Sequence, residues 1–193
     1  MKLSQRTIKI WSSILRNCPD SSLLLKAPSL RDQSVIDRFY RLFEMEGISQ
    51  DRLHLEGPSE LGQMMQRYGD IDIALDPTPY NGGTTTLQAL WMGVPVITLE
   101  GNNFVSRMGS SFLQALGHND WIAKTEDEYT SIAVHMAKNV QSIRQSRNLL
   151  REQMQSCPIS NLSTYSTNFQ RLMRRIWLDY CSPSRSRILA SET

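Results

Sequence analysis

The stretch Asp76-Pro-Thr-Pro-Tyr-Asn-Gly-Gly-Thr-Thr-Thr86 lies between an apolar run, Ile71 to Leu75, and a helix-patterned segment, Leu87-Gln-Ala-Leu-Trp-Met-Gly93. The apolar run predicts a buried strand and the second segment a helix. A Gly/Thr-rich turn between such elements aims free backbone N–H groups and a positive helix end at one point. That point is an anion site, and phosphate is the anion it suits. Val94-Pro-Val-Ile-Thr-Leu99 then supplies another β-branched apolar strand, so the unit reads strand, phosphate-type turn, helix, strand.

The same alternation runs through the first two-thirds of the chain. Thr7 to Arg16 reads as a helix with Ile8, Trp11, Ile14 and Leu15 on one face, and Leu23 to Ala27 as a short buried strand. A helix from Gln33 to Glu46 stops at Gly47, a strand spans Arg52 to Glu56, and a helix spans Glu60 to Tyr68. Beyond the central unit come a helix from about Asn103 to Leu116, closed by Gly117, and a last strand around Trp121 to Ala123. Strands separated by helix-length segments imply βαβ crossovers, hence a Rossmann-like parallel sheet with helices on both faces. After Lys124 only helices are expected: Asp127 to Lys138, Val140 to Met154 and Tyr165 to Tyr180. On the last of these Phe169, Leu172, Met173, Ile176, Trp177 and Tyr180 make one apolar face, expected either to fold onto the domain or to mediate association.

A chain of 193 residues suits one domain, expected over residues 1–180, with 181–193 as a polar, turn-rich tail. A formal net charge of +2 gives no electrostatic reason to expect nucleic acid or an anionic membrane as a partner. No apolar stretch nears the roughly 20 residues of a membrane span and the N-terminus lacks a secretory core, so cytoplasm is the expected compartment. Cys18, Cys157 and Cys181 are too dispersed for a disulfide framework or zinc site, and His54, His118 and His135 are equally scattered. No metal or other cofactor is expected.

Ala74-Leu75-Asp76-Pro77-Thr78-Pro79-Tyr80-Asn81-Gly82-Gly83-Thr84-Thr85, then Ala89-Leu90-Trp91-Met92-Gly93-Val94-Pro95-Val96, then Ser106-Arg107, resembles the C-terminal half of the catalytic region of TPR-linked protein O-GlcNAc transferases. The similarity continues through Leu116-Gly117, Ile122-Ala123, Glu128-Tyr129 and Ala133 to Trp177. It implies the C-terminal, donor-binding half of a GT-B glycosyltransferase followed by C-terminal helices. The implied ligand is UDP-GlcNAc or a related UDP-sugar, and the implied reaction is inverting transfer of the sugar to Ser/Thr hydroxyls of protein acceptors.

Residue by residue, the resemblance places Thr84 and Thr85 on the donor diphosphate, with Asn81, Gly82 and Gly83 of the same turn expected among the donor-binding residues. Gly82 and Gly83 are expected to let the backbone approach the phosphate, while the threonines offer hydroxyl and N–H donors together. Lys2 falls on the lysine that contacts the leaving diphosphate, where an ammonium stabilises charge built up as the sugar C–O bond breaks. Gln88 stands where relatives carry a carboxylate against the ribose hydroxyls. Met64 stands where the family has a histidine against the nucleotide, and Gly83 replaces a histidine of the animal enzymes. Arg107 reads as a surface residue, and Tyr80 and Trp91 as packing residues.

The half of a GT-B catalytic region that supplies acceptor contacts, and the upstream TPR repeats, have no counterpart in the sequence. Two functional classes are therefore expected: the donor half of a larger transferase, or a truncated or degenerate non-catalytic domain that binds nucleotide sugar and acts through partners.

Overall fold

In the computed structural model residues 3–182 are described, and they form two compact units, one ending at Gln155 and the other beginning at Ser156. The first unit runs α1 (Gln5–Asn17), β1 (Leu23–Lys26), α2 (Gln33–Glu44), β2 (Leu53–Glu56), α3 (Leu61–Arg67), β3 (Ala74–Leu75) and α4 (Thr84–Trp91). It continues through β4 (Val96–Leu99), α5 (Met108–Leu116), β5 (Ile122–Ala123), α6 (Glu126–Lys138) and α7 (Val140–Ser156). The second unit carries α8 (Leu162–Tyr180).

Every strand pairing is parallel, as the alternation predicts. Leu23 faces Leu53 and Lys26 faces Glu56 in one ladder, while β4 lies between β3 and β5 in the other, with Ala74 opposite Val96 and Thr98 opposite Ile122. The hydrogen-bonded sheet is divided into a two-stranded and a three-stranded part. Of the predicted strand 71–75 only Ala74 and Leu75 join the ladder. The Ile71 N–H instead closes a turn onto the Tyr68 carbonyl, and Asp72 is held by Arg144 of α7, with Oδ1 2.6 Å from Nε. Side chains bridge the gap, since Leu23, Leu25 and Leu53 belong to the same buried cluster as Ile97, Leu99 and Ala123, with Ile73 and Leu75 packed against it.

The helix α1 starts where Ser4 accepts the Thr7 N–H, and its predicted apolar face of Ile8, Trp11, Ile14 and Leu15 is buried. Burial of side chains of this size stabilises by about 1.5–3 kcal/mol apiece. All four residues of β4 are buried, as a central parallel strand with both faces covered requires. Gly93 ends α4 at φ 75°, a left-handed conformation. A Cβ there would also stand 2.5 Å from the Arg147 carbonyl oxygen, so the turn into β4 accepts only glycine.

The stretch after β4 also differs from the sequence pattern. The expected helix 103–116 is a 3-10 turn, Phe104–Ser106, followed by α5, with Arg107 at φ −118° and ψ 2° between them. Asn103 and Ser106 cap one another, which satisfies the turn locally and detaches it from the helix. In the second unit none of the α8 side chains is buried, and the predicted apolar face from Phe169 to Tyr180 is exposed throughout. Among the described residues no helix is long and apolar enough to cross a membrane.

Candidate functional site

The turn after β3 passes through a cis Thr78–Pro79 bond and enters α4 at Thr84, three residues before the predicted start at Leu87. The Leu87 N–H bonds to the Gly83 carbonyl at 3.1 Å and is the first to close a helical ring. The N–H groups of Thr84, Thr85 and Thr86 precede it and project along the axis at the positive end of the helix. Gly83, the N-cap, brings no side chain to cover them. Thr84 and Thr85 are exposed, whereas Thr86 is buried. Two adjacent hydroxyls therefore stand beside two first-turn N–H groups, a donor set suited to an anion with several oxygens.

The two glycines of the turn differ in kind. A Cβ on Gly82 would collide with the Thr86 hydroxyl and stand 2.8 Å from the Thr85 hydroxyl and 3.1 Å from Asp76 Oδ1. Gly82 is therefore required by close packing within the turn itself, and its N–H points inward, donating to Asp76 Oδ1 at 2.6 Å. Close packing is thus a second demand on Gly82, beside the ligand approach expected of it. On Gly83 an added Cβ would meet, among the described residues, only the flexible tip of Met108, at 3.1 Å.

Two helices hold the turn from behind. The Thr78 carbonyl accepts from the hydroxyls of Ser4, at 3.1 Å, and Thr7, at 2.6 Å, both at the start of α1. The Tyr129 hydroxyl of α6 donates to the Asp76 carbonyl at 3.0 Å and accepts from Trp11 Nε1 of α1 at 3.3 Å. Burial pushes the Tyr129 phenol well above its ordinary range. On the other side the Tyr68 hydroxyl, also raised by burial, donates to the Thr85 carbonyl at 3.2 Å, and the Asn81 N–H donates to Val105 at 3.1 Å. Strand, turn, α4 and the 104–106 turn thus meet at one place.

Of the other residues singled out from sequence, Gln88 is half-buried on α4, one helical turn beyond Thr84 and Thr85, and Met64 is half-buried on α3. Asn81 is fully buried, and its side-chain amide donates to the Pro77 carbonyl at 3.1 Å, so it braces the turn. Arg107 is exposed, as expected of a surface residue. Trp91 is half-buried with the Arg151 guanidinium 5.5 Å from its ring centroid, but Tyr80, read as a packing residue, is 46% exposed. Lys2 lies outside the described residues. Asp76 and Tyr129 are the functional supports that periodicity missed. Their signal was a carboxylate at a strand end and an aromatic on a helix, neither informative alone. Two concavities lie away from the turn: about 550 Å³ between α1 and α6 near Ser13 and His135, and about 230 Å³ between α1 and α2 near Ile8 and Phe39. Neither gathers the donors found at α4.

The chain is similar to known proteins. The model of glycosyl transferase family 41 matches residues 1–169. The chain belongs to that family. Family 41 similarity extends to the probable UDP-N-acetylglucosamine–peptide N-acetylglucosaminyltransferase SPINDLY of Solanum lycopersicum, 34% identical over 93% of this chain and 19% of that protein. The corresponding SPINDLY protein of Arabidopsis thaliana is 33% identical over 93% of the chain and 20% of its own length. A UDP-N-acetylglucosamine–peptide N-acetylglucosaminyltransferase of Caenorhabditis elegans is 28% identical, again over 93% of the chain. Among solved structures a mutant O-GlcNAc transferase of Thermobaculum terrenum superposes with a TM-score of 0.87 at 34% identity, over 93% of this chain and 35% of that one. The parallel α/β fold is thus that of part of an O-GlcNAc transferase. The chain spans about a fifth of the length of its plant family 41 relatives.

Proposed function

We propose that this chain is the donor-binding half of an inverting protein O-linked glycosyltransferase, and that it holds UDP-GlcNAc or a related UDP-sugar at the start of α4. The observation that carries the reading is the open first turn of that helix, with Thr84 and Thr85 exposed beside N–H groups that no side chain caps. The diphosphate lies against these donors, with Gln88 and Met64 toward the nucleoside. In the transfer a Ser/Thr hydroxyl oxygen of a protein acceptor attacks the anomeric carbon from the face opposite UDP. UDP departs with the electron pair of the broken C–O bond, and the hydroxyl proton passes to a base. Lys2 is proposed to stabilise the charge on departing UDP, with no metal taking part. The missing half of the cleft and an upstream TPR region supply the acceptor side, in the cytoplasm.

A second, non-catalytic reading is favoured by two residues. Methionine at 64 and glutamine at 88 replace the histidine and carboxylate that the resemblance leads one to expect, and each forms weaker polar contacts with a nucleoside. Calorimetric or NMR titration of UDP and UDP-GlcNAc into the 193-residue chain tests the donor site common to both. Binding is expected, and Thr84→Ala with Thr85→Ala should remove most of it, because hydrogen bonds to charged groups contribute about 1.5–3 kcal/mol each. Absence of any response at millimolar ligand refutes the site. Sugar transfer is expected only when the other half is supplied, since positioning two substrates across a cleft needs both walls. Lys2→Ala should then lower turnover more than donor affinity.

A further inference from the structure

Asp76 is only 4% exposed, yet it carries a carboxylate in the bend that leads from β3 to α4. Removing a carboxylate from water is costly unless donors surround it. Here they come from three elements. Oδ1 accepts the Gly82 N–H at 2.6 Å and lies 3.4 Å from the Thr86 hydroxyl, while Oδ2 accepts the Thr98 hydroxyl of β4 at 2.8 Å. The backbone of Asp76 is fixed as well, its N–H donating to the Ile97 carbonyl at 2.9 Å and its carbonyl accepting from Tyr129. Glycine flanks the carboxylate on two sides. A Cβ on Gly109 of α5 would collide with Asp76 Oδ2 and the Thr98 hydroxyl, and one on Gly82 would crowd Oδ1.

We infer that Asp76 is a positioning residue for the donor turn: by drawing the Gly82 N–H inward and bracing Thr86 against β4, its carboxylate sets the direction of the Thr84 and Thr85 donors. The inference rests on the donor-site reading for its functional meaning. Asp76 acts through the turn, because its oxygens are bonded to Gly82, Thr86 and Thr98. Its effect is confined to ligands that carry phosphate, because the groups it orients are phosphate donors.

The test compares Asp76→Ala with Asp76→Asn in the full chain. The asparagine keeps an acceptor for the Gly82 N–H, and the Thr98 hydroxyl can reverse to accept from its amide. Asp76→Ala is expected to weaken UDP at least about tenfold while leaving uridine within about twofold, and Asp76→Asn to stay within about threefold for both. Amide exchange should quicken at Gly82 in the alanine variant, with Leu87 and Ile97 unchanged. UDP binding by Asp76→Ala equal to wild type, or equal losses for UDP and uridine, overturns the inference. Should that variant fail to fold, Thr98→Val, which removes the donor to Oδ2 alone, is expected to weaken UDP and hasten Gly82 exchange with uridine unaffected; no change in either overturns it. If wild type binds no UDP, the donor-site reading falls, and the exchange pattern alone still decides whether Asp76 positions the turn.

Discussion

The two glycines of the turn should respond very unequally to one added methyl group. At Gly82 the new Cβ would fall against two threonine hydroxyls, that of Thr85 at 2.8 Å, and the Asp76 carboxylate at 3.1 Å. Threonine χ1 is stiff and Thr86 is buried, so the neighbours cannot swing aside without loss. Forcing an extra carbon into packed surroundings costs about 1–3 kcal/mol. In a chain of this size each kcal/mol lowers the melting temperature by about 2–4 °C, which places Gly82→Ala about 5 °C below wild type. At Gly83 the only near atom among the described residues is the methyl carbon of Met108, at 3.1 Å, and a methionine end relaxes by rotation. Gly83→Ala should melt within about 1–2 °C of wild type, a cost below about 0.5 kcal/mol.

Scanning calorimetry of the two variants beside wild type reads this difference, and a UDP titration reads its consequence. Gly82→Ala should lose affinity because the Thr85 hydroxyl is displaced. Gly83→Ala should lose it only if the ligand backbone contact comes within reach of the added carbon. Equal melting temperatures for the two variants would show that Gly82 is not packed as described, and the close-packing account would fail.

Tyr129→Phe removes the hydroxyl that joins Trp11 Nε1 to the Asp76 carbonyl and leaves two buried polar groups without it, a loss of about 1–3 kcal/mol in denaturant unfolding. A difference under about 0.3 kcal/mol would contradict that geometry. The native phenol titrates well above 10.0, so above that pH the unfolded chain releases a proton that the native chain keeps, and wild-type stability falls. The gap between wild type and Tyr129→Phe should therefore narrow in alkali, whereas a gap constant through that range argues against the buried phenol. Glu56 is held below its usual 4.5 by hydrogen bonds from Arg67 and then Lys26, so the stability it contributes is present above that pH and lost as pH falls below it. Urea midpoints for wild type and Glu56→Gln should differ at neutral pH and converge in acid; parallel curves would remove the ion pair from the account.

The order of strands and helices was legible because period is a local property. Ile8, Trp11, Ile14 and Leu15 repeat at helical spacing, and a helix buries them. The parts that were not legible are set across distance. Beside the two-residue β3, Asp72 meets Arg144, 72 positions later. A carboxylate at a strand end reads as solvent-facing, and only the arrival of Thr98, 22 positions on, and Tyr129, 53 positions on, makes Asp76 an interior residue. The helix start at Thr84 was missed because threonine has a weak helical preference, and the cost is offset here by the contacts of Thr86.

The three consecutive threonines show how one residue type acquires separate tasks from helical geometry alone. Successive residues of a helix are rotated by about 100°, so a run of three cannot share one face. Thr84 and Thr85 fall on the open side and are exposed, and Thr86 falls on the closed side, its hydroxyl 3.4 Å from the carboxylate of Asp76. The third hydroxyl thus supports what the first two present. The support is directional: the Gly82 N–H, which a phosphate-binding turn could have offered to a ligand, is already donated to the same carboxylate. The hydrogen bonds to that carboxylate are enclosed by Gly82 and Gly109, where any added Cβ would crowd its oxygens.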